Sequence, residues 1–279
     1  MNVCKIDLKE EYPFLQGGTL ECIYDDVPLD VDDGSWQRPA VLVVPGGGYR
    51  FVSRREGGPI ANAFMALGFQ VFILTYLTAA DGICYPEQLL ETAAAMDFIR
   101  KNAKKWRVNE KEVFAVGFSA GGHLVANLSV EYDKIEEKAG VSLDCKPLAV
   151  GLSYPVINHR WSADQGGTYD NLLQGYTEEA KAELMKDLNL DERVTETTPP
   201  AFIWATASDG LVPAQNSLDY AMALSCKKVD FELHVYPKGS HGLSTASLEI
   251  CEPCDALQKV KGWVEDCAQF FRQYTEEKF

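Results

Sequence analysis

The chain alternates between short unbroken apolar runs and longer stretches whose apolar positions recur at helical spacing. Ala40-Val41-Leu42-Val43-Val44 is one such run, and 70–76, 113–118, 148–153 and 201–206 are others. Runs rich in β-branched residues and lacking a polar face predict strands buried on both sides of a parallel sheet. A further strand is predicted at 231–236. Residues 19–25 alternate apolar and polar instead, which predicts an edge strand with one wet face, followed by a polar turn through Asp32-Asp33-Gly34. Helices are predicted at 60–67 with Gly68 as C-cap, at 86–107 opened by Pro86, and at 178–188, 213–224 and 255–274. Strands alternating with helices imply the α/β class, with a mostly parallel sheet covered on both faces and a single domain over 1–279.

The rhythm breaks at 156–198. This stretch holds a turn at Asp164-Gln165-Gly166-Gly167, the aromatics Trp161, Tyr169 and Tyr176, and only one predicted helix. It is too long for an ordinary connection, so it is expected to be a cap insertion within the domain.

The 279 residues carry a net charge of −15, which disfavours nucleic acid or an anionic membrane as a partner. No segment approaches the ~18 continuous apolar residues of a membrane span, and the N-terminal residues lack the apolar core of a secretory signal. Cys4, Cys22, Cys84, Cys145, Cys226, Cys251, Cys254 and Cys267 are therefore expected as reduced thiols in a cytoplasmic protein. Cys251-Glu252-Pro253-Cys254 alone has ligand-like spacing, and without a second such pair no metal site is expected. A homodimer is left open.

The chemistry gathers around Gly117-Phe118-Ser119-Ala120-Gly121, a G-x-S-x-G turn between an apolar strand and an amphipathic helix carrying Leu124, Val125 and Leu128. That context is what a nucleophile elbow requires. A serine hydroxyl needs a base to take its proton and an acid to hold the base. Of the four histidines, His123 is expected to pack locally, His234 lies within a predicted strand and His159 in the expected cap. His241 sits in a loop directly after the last strand, where sites of parallel sheets collect. Asp209 follows the strand at 201–206; as a purely structural residue it would be a turn former or helix cap. The order Ser119, Asp209, His241 favours the catalytic reading. Ala120 and the glycine turn Gly46-Gly47-Gly48 can supply oxyanion donors. A dinucleotide-binding reading of that turn fails, because Phe51 stands where a third glycine belongs.

Four ordered motifs then resemble the esterase branch of the α/β-hydrolase family, most closely its acetyl esterase and acetylxylan-esterase-like members. They are Pro45-Gly46-Gly47-Gly48-Tyr49, with Pro replacing the more usual His, then 117–124, the acid segment from Asp209 to Leu218, and the histidine segment from Pro237 to Leu243. The resemblance implies the α/β-hydrolase fold and acyl transfer with Ser119 as nucleophile, His241 as base and Asp209 as its orienter. Gly47, Gly48 and Ala120 would form the oxyanion hole, with no cofactor and no metal. It also implies a small-molecule ester substrate, first an acetyl ester of a sugar or xylo-oligosaccharide, on which Trp161, Tyr169 and Tyr176 would either stack or pack on one another. A peptidase or an aryl-formamide amidase uses the same triad and fold, and a catalytically inactive binding protein is a third reading.

Overall fold

The apolar run at 40–44 is buried because it lies inside an eight-stranded sheet, as seen in a computed structural model that describes residues 1–26, 36–161, 167–248, 250 and 257–276. The strands are β1 (Asn2–Asp7), β2 (Thr19–Tyr24), β3 (Arg38–Val44), β4 (Gln70–Thr75), β5 (Val108–Phe118), β6 (Val150–Ser153), β7 (Ala201–Thr206) and β8 (Phe231–Tyr236). Their order across the sheet is β1-β2-β4-β3-β5-β6-β7-β8. From β4 to β8 all neighbours run parallel, while β1, β2 and β4 pair antiparallel. The turn at Asp32-Asp33-Gly34, most of that at 164–167, Cys251 and Cys254 lie outside the described residues.

The helices cover both faces. They are α1 (Leu8–Glu11), α2 (Gly58–Ala66), α3 (Glu87–Lys101), α4 (Ala120–Glu131), α5 (Ile135–Ala139), α6 (Thr168–Leu172), α7 (Glu178–Asp187), α8 (Gln215–Lys227), α9 (Leu257–Val260) and α10 (Trp263–Arg272). One core packs the inward residues of α3, α4 and α8 on one face, with Trp106, Leu124, Leu128 and Tyr220 at its centre. The other joins α2 and α10 through Phe64, Phe69, Phe114 and Phe271, the last two stacked at 4.4 Å. Strands β3 to β7 are buried on both sides because helices lie over both.

Three expectations change. β2 is not the edge: β1 pairs outside it, and its alternation reflects one face, with Leu20 and Cys22, turned to the core and not an open flank. The long helix stops at Lys101 instead of running to 107, because Asn102 leaves helical geometry and the chain turns into β5. The last helix is broken between α9 and α10, where Gly262 caps the second piece. No helix of the described residues is long and apolar enough to cross a membrane.

Candidate active site

β5 and α4 meet in a turn that tolerates only small residues. A methyl group on Gly117 would fall 2.3 Å from the Gly121 carbonyl oxygen, and one on Gly121 would fall 2.2 Å from that of Val44. The two glycines therefore let the start of α4 press onto the end of β3. Between them Ser119 takes φ 53°, ψ −117°, which turns its hydroxyl out of the sheet.

Ser119, Asp209 and His241 follow β5, β7 and β8, whose carboxyl ends share one edge of the parallel sheet. The structure brings the three together. Ser119 Oγ lies 2.8 Å from His241 Nε2, and His241 Nδ1 lies 2.7 Å from Asp209 Oδ2. The other oxygen of Asp209 accepts from the N–H groups of Leu211 and Val212 at 2.8 and 3.0 Å, so the carboxylate is clamped from behind. Its side chain is 1% exposed and that of His241 14%. A carboxylate can only accept, so His241 Nδ1 carries the ring proton and Nε2 is left to accept from the Ser119 hydroxyl.

The glycine turn after β3 lies against this serine. A methyl group on Gly46 would be 2.9 Å from Ser119 Cβ, and one on Gly47, where φ is +126°, would collide with the Phe51 carbonyl at 1.9 Å. The Gly47 carbonyl accepts from Arg50 and Phe51, which curls the turn. Among the described residues the N–H groups of Gly47, Gly48 and Ala120 meet no acceptor within the fold. Ala120 opens α4, where a free N–H and the positive end of the helix dipole coincide.

Glu56 and Tyr154 were not legible in the sequence. Glu56 is buried, accepting from Gly46 N at 2.9 Å on one oxygen and from the Tyr154 hydroxyl at 2.8 Å on the other. The Tyr154 ring stands edge-on to His241 at 5.0 Å, and its oxygen accepts from Ser244 N at 3.0 Å. Burial, and then the neighbouring Glu56 charge, push the Tyr154 phenol well above its ordinary range, so it remains a donor.

The other histidines lie elsewhere. His123 is fully buried with Nδ1 2.9 Å from the Tyr49 hydroxyl, and burial lowers its pKa to about 4, which keeps it neutral. His159 pairs with Asn189 and His234 with Glu232.

A cleft of about 640 Å³ opens in front of Ser119 and His241. Gly47, Gly48 and the segment 50–56 form one wall, with Thr168 and Leu211 completing it. From the described residues of the stretch 156–198 it receives only Thr168, while Asn171 Nδ2 donates to the Gly48 carbonyl at 2.8 Å. Trp161, Tyr169 and Tyr176 do not line it. Trp161 donates to Asp219, Tyr169 is buried against His123, and Tyr176 donates to the Tyr85 carbonyl. Phe51 is the exposed aromatic ring at the cleft. Among the described residues no group of His, Cys, Asp and Glu could hold a metal ion.

Several known proteins are similar to this chain. Endo-1,4-beta-xylanase B of Butyrivibrio fibrisolvens is 35% identical over 217 residues, which are 76% of this chain and 34% of that protein. An acetylxylan esterase of Xylanibacter ruminicola is 30% identical over 214 residues, 73% of this chain and 40% of that protein. The chain thus spans well under half the length of these two relatives. It covers nearly all of a solved structure, the acetyl ester-xyloside bifunctional hydrolase of Caldicellulosiruptor lactoaceticus, with a TM-score of 0.80, 29% identity and coverage of 97% and 96%. Residues 30–224 match BD-FAE, and the chain belongs to this family of α/β hydrolases.

Proposed function

We propose that the protein is a carboxylic ester hydrolase that removes small acyl groups, acetyl first, from sugars or xylo-oligosaccharides. The hydrogen-bonded line from Ser119 through His241 to Asp209 carries the reading. His241 Nε2 takes the hydroxyl proton as Ser119 Oγ attacks the ester carbonyl. Asp209 holds the imidazole and balances the imidazolium that forms. The N–H groups of Gly47, Gly48 and Ala120 receive the tetrahedral oxyanion. His241 then gives its proton to the leaving alcohol, and water repeats the sequence to release the acid and free Ser119. The stretch 156–198 serves as the cap, reaching the site through Thr168 and Asn171.

The acetyl group and the sugar rest on the names of the acetylxylan esterase and the acetyl ester-xyloside hydrolase. The xylanase name belongs to a protein of which this chain covers 34%. Glycoside cleavage uses two carboxyl groups flanking the bond. Among the described residues the cleft walls offer one, Glu56, and both its oxygens are engaged.

The test is hydrolysis of p-nitrophenyl acetate, butyrate and octanoate, with acetylated xylo-oligosaccharide alongside, by wild type and Ser119→Ala. The expected result is release that favours acetate, extends to the sugar and vanishes in the variant. Release indifferent to Ser119→Ala overturns the assignment.

A further inference from the structure

The chain contains nine arginines. Arg38, Arg100, Arg160 and Arg193 form ion pairs with carboxylates, Arg272 donates to the Leu67 carbonyl, and Arg107 is engaged as well. Arg50, Arg54 and Arg55 differ. Among the described residues none of the three guanidinium groups has a carboxylate partner or a side-chain hydrogen bond, and all three residues are exposed. All three line the cleft in front of Ser119 and His241. In a chain with 41 acidic residues against 26 basic ones, three such guanidinium groups lie together at the candidate site.

Their placement is built into the fold. Arg50 belongs to the turn that presents the candidate oxyanion donors, its N–H bonded to the Gly47 carbonyl at 3.0 Å. Arg55 lies on the opposite flank. A methyl group on Gly242 would fall 2.2 Å from Arg55 Nη2, so the guanidinium rests on the backbone immediately after His241. The Arg55 carbonyl also accepts from Ser244 Oγ in the same loop. Among the described residues of the cleft wall the one carboxylate, Glu56, is buried, bonded to Gly46 and Tyr154 and in no ion pair with the arginines, so three cations stand against one anion there. A guanidinium presents a planar fork of donors that matches a carboxylate, and charges of one sign in a cleft concentrate ligands of the other.

From this we infer that the ester is anionic: its alcohol portion carries a carboxylate, as an acetylated uronic-acid sugar does, held by Arg50, Arg54 and Arg55 while the carbonyl faces Ser119. Placing the carbonyl at Ser119 rests on the acyl-transfer reading above; the charge preference does not. A positive field acting only on the oxyanion would serve neutral and charged esters alike, whereas this site separates them.

Binding and turnover test the two separately. Ser119→Ala is titrated at low ionic strength with 4-acetoxybenzoate and with its uncharged counterpart 4-acetoxybenzamide. The acid is expected to bind about ten-fold more tightly, and the advantage to shrink to about two-fold or less when Arg50→Gln, Arg54→Gln and Arg55→Gln are added. The triple Arg→Lys variant, which keeps the charge, is expected to retain part of the preference. Equal binding of the two compounds, or a preference that survives the triple Gln variant, overturns the proposal. Tighter binding of 4-acetoxyphenyl phosphate than of the benzoate overturns the choice of carboxylate. If the triple variant does not fold, Arg50→Gln and Arg55→Gln are titrated singly, and an unchanged preference in both overturns it. Wild-type hydrolysis of the benzamide ester, absent in Ser119→Ala, reports on acyl transfer alone.

Discussion

The Tyr154 hydroxyl donates to Glu56 at 2.8 Å across 98 positions of sequence, and through Gly46 and Ser244 this bond links the glycine turn after β3 to the loop of His241. Glu56 holds Gly46 on one side, and Tyr154 braces the His241 ring and Ser244 on the other. Glu56→Gln offers one acceptor where two are used. The expected result is a fall in kcat of about 10- to 100-fold on p-nitrophenyl acetate with little change in KM, since what is lost is the register of donors and base. A change in KM alone would show that the pair only shapes the cleft.

Asp209→Asn keeps the shape of the side chain but puts an amide where His241 needs an acceptor. The expected loss is about 10³- to 10⁴-fold in kcat, with near-normal melting, because the imidazole is then held in the wrong tautomer. Steady-state kinetics with a thermal melt on the same sample check both halves.

Gly47→Ala asks a methyl group to occupy space 1.9 Å from the Phe51 carbonyl at a φ of +126°. The expected loss is about 3 kcal/mol or more in stability. Gly68→Ala is the control: its φ is +88°, but nothing lies within 4 Å, so about 1 kcal/mol is expected. Urea midpoints compare the two.

Two buried groups set opposite slopes of stability against pH. Burial on α3 raises the Glu91 pKa from 4.5 to about 8, only partly offset by the bond it accepts from Leu77 N. Its folded pKa lies above the unfolded one, so the stabilisation is complete below 4.5 and lost as pH rises through 8. Burial lowers the pKa of His123 from 6.5 to about 4, so its contribution is present above 6.5 and lost as pH falls toward 4. Melting temperature is expected to peak between these limits. Glu91→Gln should flatten the alkaline slope and leave the acid one; an unchanged alkaline slope would show that Glu91 is ionised in the fold.

The parallel strands were legible because burial on both faces leaves an unbroken apolar run, as in 201–206, where the expected and observed bounds agree. β1 was not, because adjacent Val3 and Cys4 break the alternation and the half-covered face carries Asn2 beside Cys4 and Ile6, which leaves only a weak pattern. Ser119, Asp209 and His241 could be singled out because strand ends and chain order constrain them. Glu56 and Tyr154 carry no such mark. Their meeting depends on how two loops fold back over the sheet, and neither spacing nor residue type announces it. The arginines at 50, 54 and 55 were visible as residues, but what sets them apart from the other arginines, a side chain without a partner among the described residues, exists only in three dimensions.

Ser119 sits at φ 53°, ψ −117°, a conformation that disfavours any side chain by about 1–3 kcal/mol. Glycine would relieve it, so Ser119→Gly should melt higher than wild type while losing the hydroxyl. The proposed nucleophile and a weak point of the backbone are one residue. Variants chosen for heat tolerance alone would drift toward glycine there, and a durable catalyst can be bred from this chain only if turnover is scored in the same round.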